Sequence, residues 1–355
     1  MALSDNFRKV VPYVPGEQPQ KKNIIKLNTN ENPYPPSPNV IKAIEDFDGE
    51  TLRLYPEPNI DKLRRELAEY LSNRYIELDK DNVFVGVGSD DVLSTAFLTF
   101  FNSGRCVEFA DITYSFYDVW CDVYKIPYKQ IPVKSDFTIN PEDYKSGNGG
   151  VVIANPNAPT GIELPLTDIG KILKENSDVV VIVDEAYVDF GGNSAISLIN
   201  DYKNLVVVQT FSKSRSMAGA RIGFAVANKE LIKAMSDVKF SINSYTLTNM
   251  FIEAGVASVK DNDYFETQVE RIINTREKAK EELTNLGFSI TDSKTNFLWA
   301  THKSLSARVI FEKLREKDIF VRYFNKPGID NYLRITVGTD EEMNCLYDAL
   351  RDIVG

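Results

Sequence analysis

Three short runs of apolar residues constrain the fold of this 355-residue chain: Gly150-Val151-Val152-Ile153-Ala154, Val179-Val180-Val181-Ile182-Val183 and Leu205-Val206-Val207-Val208. None of them alternates with polar residues, so each has to be covered on both faces, as interior strands are in a sheet flanked by helices. Apolar strands alternate with helical patterns from about Asn82 to Val226, which predicts an α/β fold with a mainly parallel sheet sandwiched by helices. In such open sheets ligands collect beyond the carboxyl ends of the strands. Asn157, Asp184 and Lys213 stand just past those ends, so they are expected to converge although many residues separate them.

The residue types suit one kind of chemistry. Lys213 is flanked by Ser212 and Ser214 and followed eight positions later by Arg221. Hydroxyls and a guanidinium suit a phosphate, and an amine suits an aldehyde. A solvated loop lysine is the competing reading of Lys213 taken alone. A carboxylate such as Asp184 beside a pyridine nitrogen keeps that nitrogen protonated, with an attraction of roughly 4 kcal/mol at 4 Å and an effective dielectric near 20. Asn157 and Tyr187 can hydrogen-bond a ring hydroxylate. A freed Lys213 can act as general base and acid, a role worth about 10² to 10⁴ in rate. These are the requirements of pyridoxal 5'-phosphate.

The ordered set Asn157-x-Pro159-Thr160-Gly161, Asp184-Glu185-Ala186-Tyr187 and Ser212-Lys213 with Arg221-Ile222-Gly223 resembles the fold-type-I pyridoxal-phosphate aminotransferases. The likeness covers most of the chain. It implies an enzyme that moves an amino group between a small-molecule amino donor and a keto acid, with Lys213, Asp184 and Tyr187 as its catalytic groups. By the same resemblance the cofactor is bound covalently at Lys213, its ring nitrogen meets Asp184, and its hydroxylate meets Asn157 and Tyr187. Tyr114 stacks on the ring, while Ser89 and Asp90 form a phosphate-cradling turn after the strand 83–88, with Ser212 and Arg221 beside it. Tyr55 reaches the neighbouring subunit's phosphate, which implies a homodimer. The competing readings are an ordinary core or surface tyrosine at Tyr114, simple helix capping by Ser89, and a buried aromatic at Tyr55.

Further motifs, Pro12 to Gly16, Leu27 to Pro33, Leu54 to Pro58 and Tyr332 to Thr339, are similar to one branch of that family. Arg322 alternates onto the same face as Phe320 and Phe324, an unusual place for a solvated charge, and Arg334 lies inside a strand pattern. A guanidinium fork fits either a carboxylate or a phosphate, so one pair can read two anionic substrates in turn. The resemblance implies the α-carboxylate of glutamate and a phosphate ester, with Tyr13 and Asn30 near the substrate's far end. Structural ion pairs are the alternative for both arginines. An aromatic amino-acid aminotransferase, or a cofactor-binding protein without turnover, is also compatible. Asp91, Ala158 and Ile112 depart from the commoner family wording, and none of the three removes a group the chemistry needs.

Bulk properties bound the rest. With 43% hydrophobic residues the chain can bury one large core and a smaller second one. The expected division is a large cofactor-binding domain over 39–245, and a small α+β domain formed by the arm 1–38 with 246–355. A long amphipathic helix, Tyr264 to Gly287, is expected to bridge them. A net charge of -10, from 41 basic and 51 acidic side chains, disfavours nucleic acid or an anionic membrane as partner. Cys106, Cys121 and Cys345 lack metal or redox spacing, which suits a reducing cytoplasm. A single histidine, His302, leaves no multi-histidine metal site and is expected to end a strand. No metal is expected, and no apolar run has the length needed to cross a bilayer.

Overall fold

The computed structural model describes residues 3–21 and 23–355. In chain order the elements are β1 (Ile25–Leu27), α1 (Pro38–Glu45), α2 (Asp61–Ser72), β2 (Val83–Val87), α3 (Gly88–Phe100), β3 (Val107–Ala110), α4 (Tyr117–Tyr124), β4 (Tyr128–Ile131), β5 (Gly150–Ala154), α5 (Leu166–Glu175) and β6 (Val181–Asp184). They continue with β7 (Leu205–Thr210), β8 (Ile222–Ala227), α6 (Lys229–Ile242), α7 (Asn249–Lys260), α8 (Asn262–Asn285), β9 (Phe288–Ile290), β10 (Phe297–His302), α9 (Ala307–Glu316), β11 (Ile319–Tyr323), β12 (Leu333–Thr336) and α10 (Asp340–Val354).

Seven strands form the larger sheet in the order β2-β8-β7-β6-β5-β3-β4. The three apolar runs are its centre. Along β6, Val181 and Val183 face one core while Ile182 faces the other, and along β7 Leu205 and Val207 oppose Val206 and Val208 in the same way. Full burial of each such side chain is worth about 1.5–3 kcal/mol, and polar residues enter these two strands only at their carboxyl ends, as Asp184, Gln209 and Thr210. Strands β5, β6 and β7 are parallel and in step, with Asp184 level with Ala154 and Val208. Strand β8 is antiparallel to both of its neighbours. Its first residue therefore lies at the same edge as the ends of β2 and β7, and this is how Arg221, which precedes a strand, meets residues that follow one.

That edge is tightly built. Gly88 has φ +82°, and a Cβ there would lie 2.5 Å from Arg221 Nη2. A Cβ on Gly223 would lie 2.3 Å from Ser89 N. The start of β8 thus packs backbone to backbone on the first turn of α3.

The smaller sheet has the order β1-β11-β12-β10-β9 and shares a core with α9, α10 and the second half of α8. Its short strand β9 pairs antiparallel with β10. The N-terminal arm contributes β1, parallel to β11. Helix α8 spans 24 residues, about 36 Å, close to the expected 264–287. Phe265, Val269 and Ile272 of its first half pack with Phe190 and Val337, while Ala279 and Leu283 of its second half enter the small core. Helix α7 falls in the stretch expected to join the smaller unit, yet Ile252, Ala254, Val256 and Val259 pack in the larger core. The reason is its apolar face, which lies against α1 and α2. His302 ends β10, with its Nε2 3.0 Å from Leu286 O.

Replacing Gly223 by Ala is expected to cost at least about 1–3 kcal/mol, because backbone rather than a flexible side-chain tip has to give way. Ile222→Val next door should cost only about 0.5–1.5 kcal/mol. Urea midpoints of the two variants check the order.

Candidate active site

Except for Asn157 and Tyr55, all the expected site residues line one cleft of about 420 Å³. Ser89, Asp90, Tyr114, Asp184, Tyr187, Ser212, Lys213 and Arg221 come from the edge of the larger sheet. Arg322 and Arg334 come from the smaller sheet, and Tyr13 and Asn30 from the arm.

At the floor, Asp184 ends β6 with its side chain buried. Tyr117 donates a 2.7 Å hydrogen bond to Oδ2, and Oδ1 is buried without a partner. Burial raises the Asp184 carboxyl to about 6; the Tyr117 hydrogen bond opposes the rise, the neighbouring Asp90 adds to it, and the Ala186 backbone amide nearby opposes it weakly. A buried acceptor left open in this way is costly unless a donor meets it. Lys213 Nζ lies 3.4 Å from Thr29 O and 5.8 Å from the centre of the Tyr187 ring. The backbone beneath it is fixed by Asn32, whose amide donates to Lys213 O and Ser214 O, and by Asp189, which accepts from the Ser214 hydroxyl. Arg215 holds the turn from behind, its guanidinium 4.2 Å from the Phe265 ring and 4.9 Å from the Tyr70 ring.

Helix α3 opens without a side-chain cap. Ser89 therefore does not cap it; instead Asp91 accepts from Val87 N at 2.8 Å. Ser89 stands in the first turn, where backbone donors and the helix dipole favour an anion. Arg221 Nη2 approaches Asp90 Oδ2 at 3.5 Å, and Tyr114 donates to Asp90 Oδ1 at 2.9 Å. Burial, with Asp90 beside it, holds the Tyr114 phenol well above its usual range, so it remains protonated.

Two residues lie elsewhere. Asn157 is buried with its amide fully used: Oδ1 accepts from Thr113 at 2.8 Å, and Nδ2 donates to Ile112 O and Thr160 Oγ1. Its side chain is turned to these partners, because a buried amide has to be hydrogen-bonded. Its neighbours Pro156, Ala158 and Pro159 line the cleft in its place. Tyr55 is 80% exposed and stacks on Tyr245 with ring centres 4.5 Å apart, so the reading of a buried aromatic is overturned.

At the mouth, Arg322 and Arg334 are register partners on β11 and β12. Like charges placed opposite each other repel. Both guanidiniums lie over Phe324, at 5.3 and 5.7 Å. The polar contact of Arg334 is Asn28 O at 3.0 Å, and its Nε is buried without a partner. Among the described residues neither arginine pairs with a carboxylate, so structural ion pairs do not explain them. Burial draws Arg334 below its ordinary value. Tyr13 stacks on Phe116 at 4.4 Å, and burial raises its phenol. Asn30, at φ 57°, donates to Tyr187 Oη at 2.8 Å.

Tyr117, Asn32 and Thr113 escape sequence reasoning, whereas Arg215, which the sequence offers as an anion-binding candidate beside Lys213, is turned away from the cleft to Ser258 O and the Tyr70 and Phe265 rings. Tyr117 follows Tyr114 by three residues and opens α4, a spacing that does not show that its hydroxyl turns to Asp184.

A mainly parallel sheet with a lysine, a buried acid and an arginine on one edge, facing two arginines without a carboxylate partner among the described residues, is the architecture of a transaminase. The chain belongs to the aminotransferase class I and II family, whose profile matches residues 22–350. Over 351 residues it is 51% identical to the histidinol-phosphate aminotransferase of Clostridium botulinum strain Langeland, covering 99% of this chain and 98% of that one. It is 48% identical over 353 residues to the enzyme of the same name from Brachyspira hyodysenteriae, with 99% and 98% covered. A solved structure, histidinol-phosphate aminotransferase from Sinorhizobium meliloti in complex with pyridoxal-5'-phosphate, shares the fold with a TM-score of 0.83 at 23% identity, over 92% of this chain and 90% of that chain.

The raised Asp184 carboxyl has a consequence for stability. Its folded value, about 6, lies above its unfolded one, so between roughly 3.9 and 6 the folded chain binds more protons and this contribution to stability falls as pH rises. Asp184→Asn removes that contribution. In urea titrations without ligand, the stability difference between variant and wild type is expected to move in the variant's favour from pH 4 to 6.5. A difference that stays flat would show that Asp184 is not desolvated.

Proposed function

We propose that this chain is a pyridoxal 5'-phosphate-dependent, homodimeric and cytoplasmic aminotransferase of histidine biosynthesis. It would interconvert histidinol phosphate and imidazole acetol phosphate with glutamate and 2-oxoglutarate as the other pair. The observation that carries the reading is the Arg322–Arg334 pair: two opposed guanidiniums without a carboxylate, at the mouth of a cleft whose floor holds a buried acid with one open oxygen. The identity of about 50% with enzymes of that name supports it.

The cofactor fits the groups present. Asp184 Oδ1, buried and without a donor, suits a protonated ring nitrogen. The first turn of α3 with Ser89, together with Ser212 and Arg221, suits its phosphate, and the close approach of Gly88 and Gly223 brings these groups to one point. Tyr187 suits the ring hydroxylate and Tyr114 the ring face. Asn157 reaches the hydroxylate in this reading only by exchanging one of its present partners. When bound, the cofactor supplies an aldehyde and an electron-accepting ring.

The protein does the rest. Arg334 and Arg322 bind the anionic end of each substrate in turn, carboxylate or phosphate, by the same fork geometry. Lys213 Nζ takes a proton from the substrate carbon that bears the amine and returns one when the ketone is formed, as general base and then acid. Asp184 holds its negative charge opposite the cationic ring nitrogen, which offsets the desolvation that otherwise favours its neutral form. Tyr13 with Phe116 excludes water at the arm side. Tyr55, exposed and stacked on Tyr245, supports the homodimer, and Leu52, Leu54 and Ile242 are also exposed, at 67%, 54% and 66%. An apolar surface of that kind suits a partner subunit.

Purified protein mixed with histidinol phosphate, and separately with phenylalanine, should convert the phosphate ester faster in the half-reaction followed by the cofactor spectrum. Faster conversion of phenylalanine overturns the assignment. Arg334→Lys keeps the charge but loses the fork, and is expected to raise KM for glutamate and for histidinol phosphate alike by about ten- to a hundred-fold, the worth of a charged hydrogen bond. An effect on one substrate alone would show that the pair does not serve both.

A further inference from the structure

Away from the cleft, under α6, lies a pocket of about 370 Å³ whose walls include Phe84, Val85 and Ile232. Four cationic side chains line it, and three are already neutralised: Arg64 by Asp61 and Asp81, Lys229 by Asp79, and Lys233 by Asp237. Lys239 is the exception. It is 7% exposed, its Nζ donates to Pro58 O at 3.0 Å, and it stands 5.1 Å from the centre of the Phe240 ring. Among the described residues no carboxylate forms an ion pair with it. A buried ammonium in this position is held by one backbone carbonyl, which cannot balance its charge.

We propose that Lys239 is a second reactive amine of this protein, a modification site at which small acyl phosphates transfer their acyl group. The uncharged Nζ uses its lone pair to form a bond to the acyl carbon. The carbon–oxygen bond to phosphate breaks, phosphate leaves with the bonding pair, and the extra proton on nitrogen passes to solvent. The resulting amide keeps one N–H for Pro58 O and sets a methyl group against Phe84, Val85 and Ile232. It also removes a cation that has no carboxylate partner among the described residues.

The electrostatics agree with that geometry. Burial lowers Lys239 to about 8; Asp91 on α3 favours its charged form and Arg64 on α2 opposes it. Lys229 and Lys233 on α6, with Asp81 ahead of β2, are the remaining charged groups of the pocket. At pH 7.5 such an amine has a neutral fraction on the order of a quarter, against about a thousandth for an ordinary lysine.

The test exposes the holoenzyme, cleared of excess cofactor, to acetyl phosphate at several pH values and maps acetylation by mass spectrometry. Lys239 is expected to react at least about tenfold faster at pH 7.5 than Lys145 and Lys233, whose side chains are 66% and 75% exposed. Its rate should level off above pH 8, where theirs continue to climb. Lys239→Arg should lose the label while keeping transaminase activity. Labelling of Lys239 no faster than Lys145, or a rate still rising at pH 10, overturns the proposal. Both readings come from the wild-type chain, so a poorly folded variant does not obscure them.

Discussion

The hydrogen bond from Tyr117 to Asp184 organises the cleft. It fixes one oxygen of a carboxylate sunk at the end of a central strand and leaves the other open. A lone buried carboxylate would tend to protonate and become inert; one held by a phenol at one oxygen and unpaired at the other retains the capacity to meet a cation. The sheet supplies the burial, since Asp184 is flanked by Ala154 on β5 and by Val208 on β7. The aromatic cluster of Tyr114, Tyr117 and Trp120 supplies the stiffness.

Around that floor the chain uses antiparallel pairing twice to bring charges to one place. Strand β8 reverses direction so that Arg221 meets the start of α3, and glycine at 88 and 223 lets the backbones touch. In the smaller sheet β11 and β12 are also antiparallel, which sets Arg322 opposite Arg334. The first arrangement joins an arginine to an acid, Asp90. The second joins an arginine to an arginine. The difference separates an arginine with its own counter-charge from a pair that has no carboxylate partner among the described residues.

How much of this was legible in the sequence follows from the range of the interactions. The central strands were, because an unbroken apolar run has few other uses, and their ends pointed to Asp184 and Lys213. The arginines were, because a charge on an apolar face needs a reason. Side-chain direction was not: Asn157 occupies its expected place in the chain, but its amide turns to Thr113 and Ile112, partners about 45 residues earlier. Nor could local pattern assign α7, whose apolar stripe suits either core and is settled by α1 and α2. Tyr117 and Asn32 act through contacts that no spacing encodes.

Strand β1 carries an implication for biosynthesis. Its partner β11 lies nearly three hundred residues later, so on the ribosome residues 25–27 remain unpaired until residues 319–321 have emerged. The larger sheet needs nothing beyond Ala227 and can collapse well before that. Thr29, Asn30 and Glu31, which follow β1 directly, therefore reach the cleft last. A nascent chain truncated before residue 319 would hold a formed sheet edge and an open mouth, so competence waits until β11 and β12 have emerged.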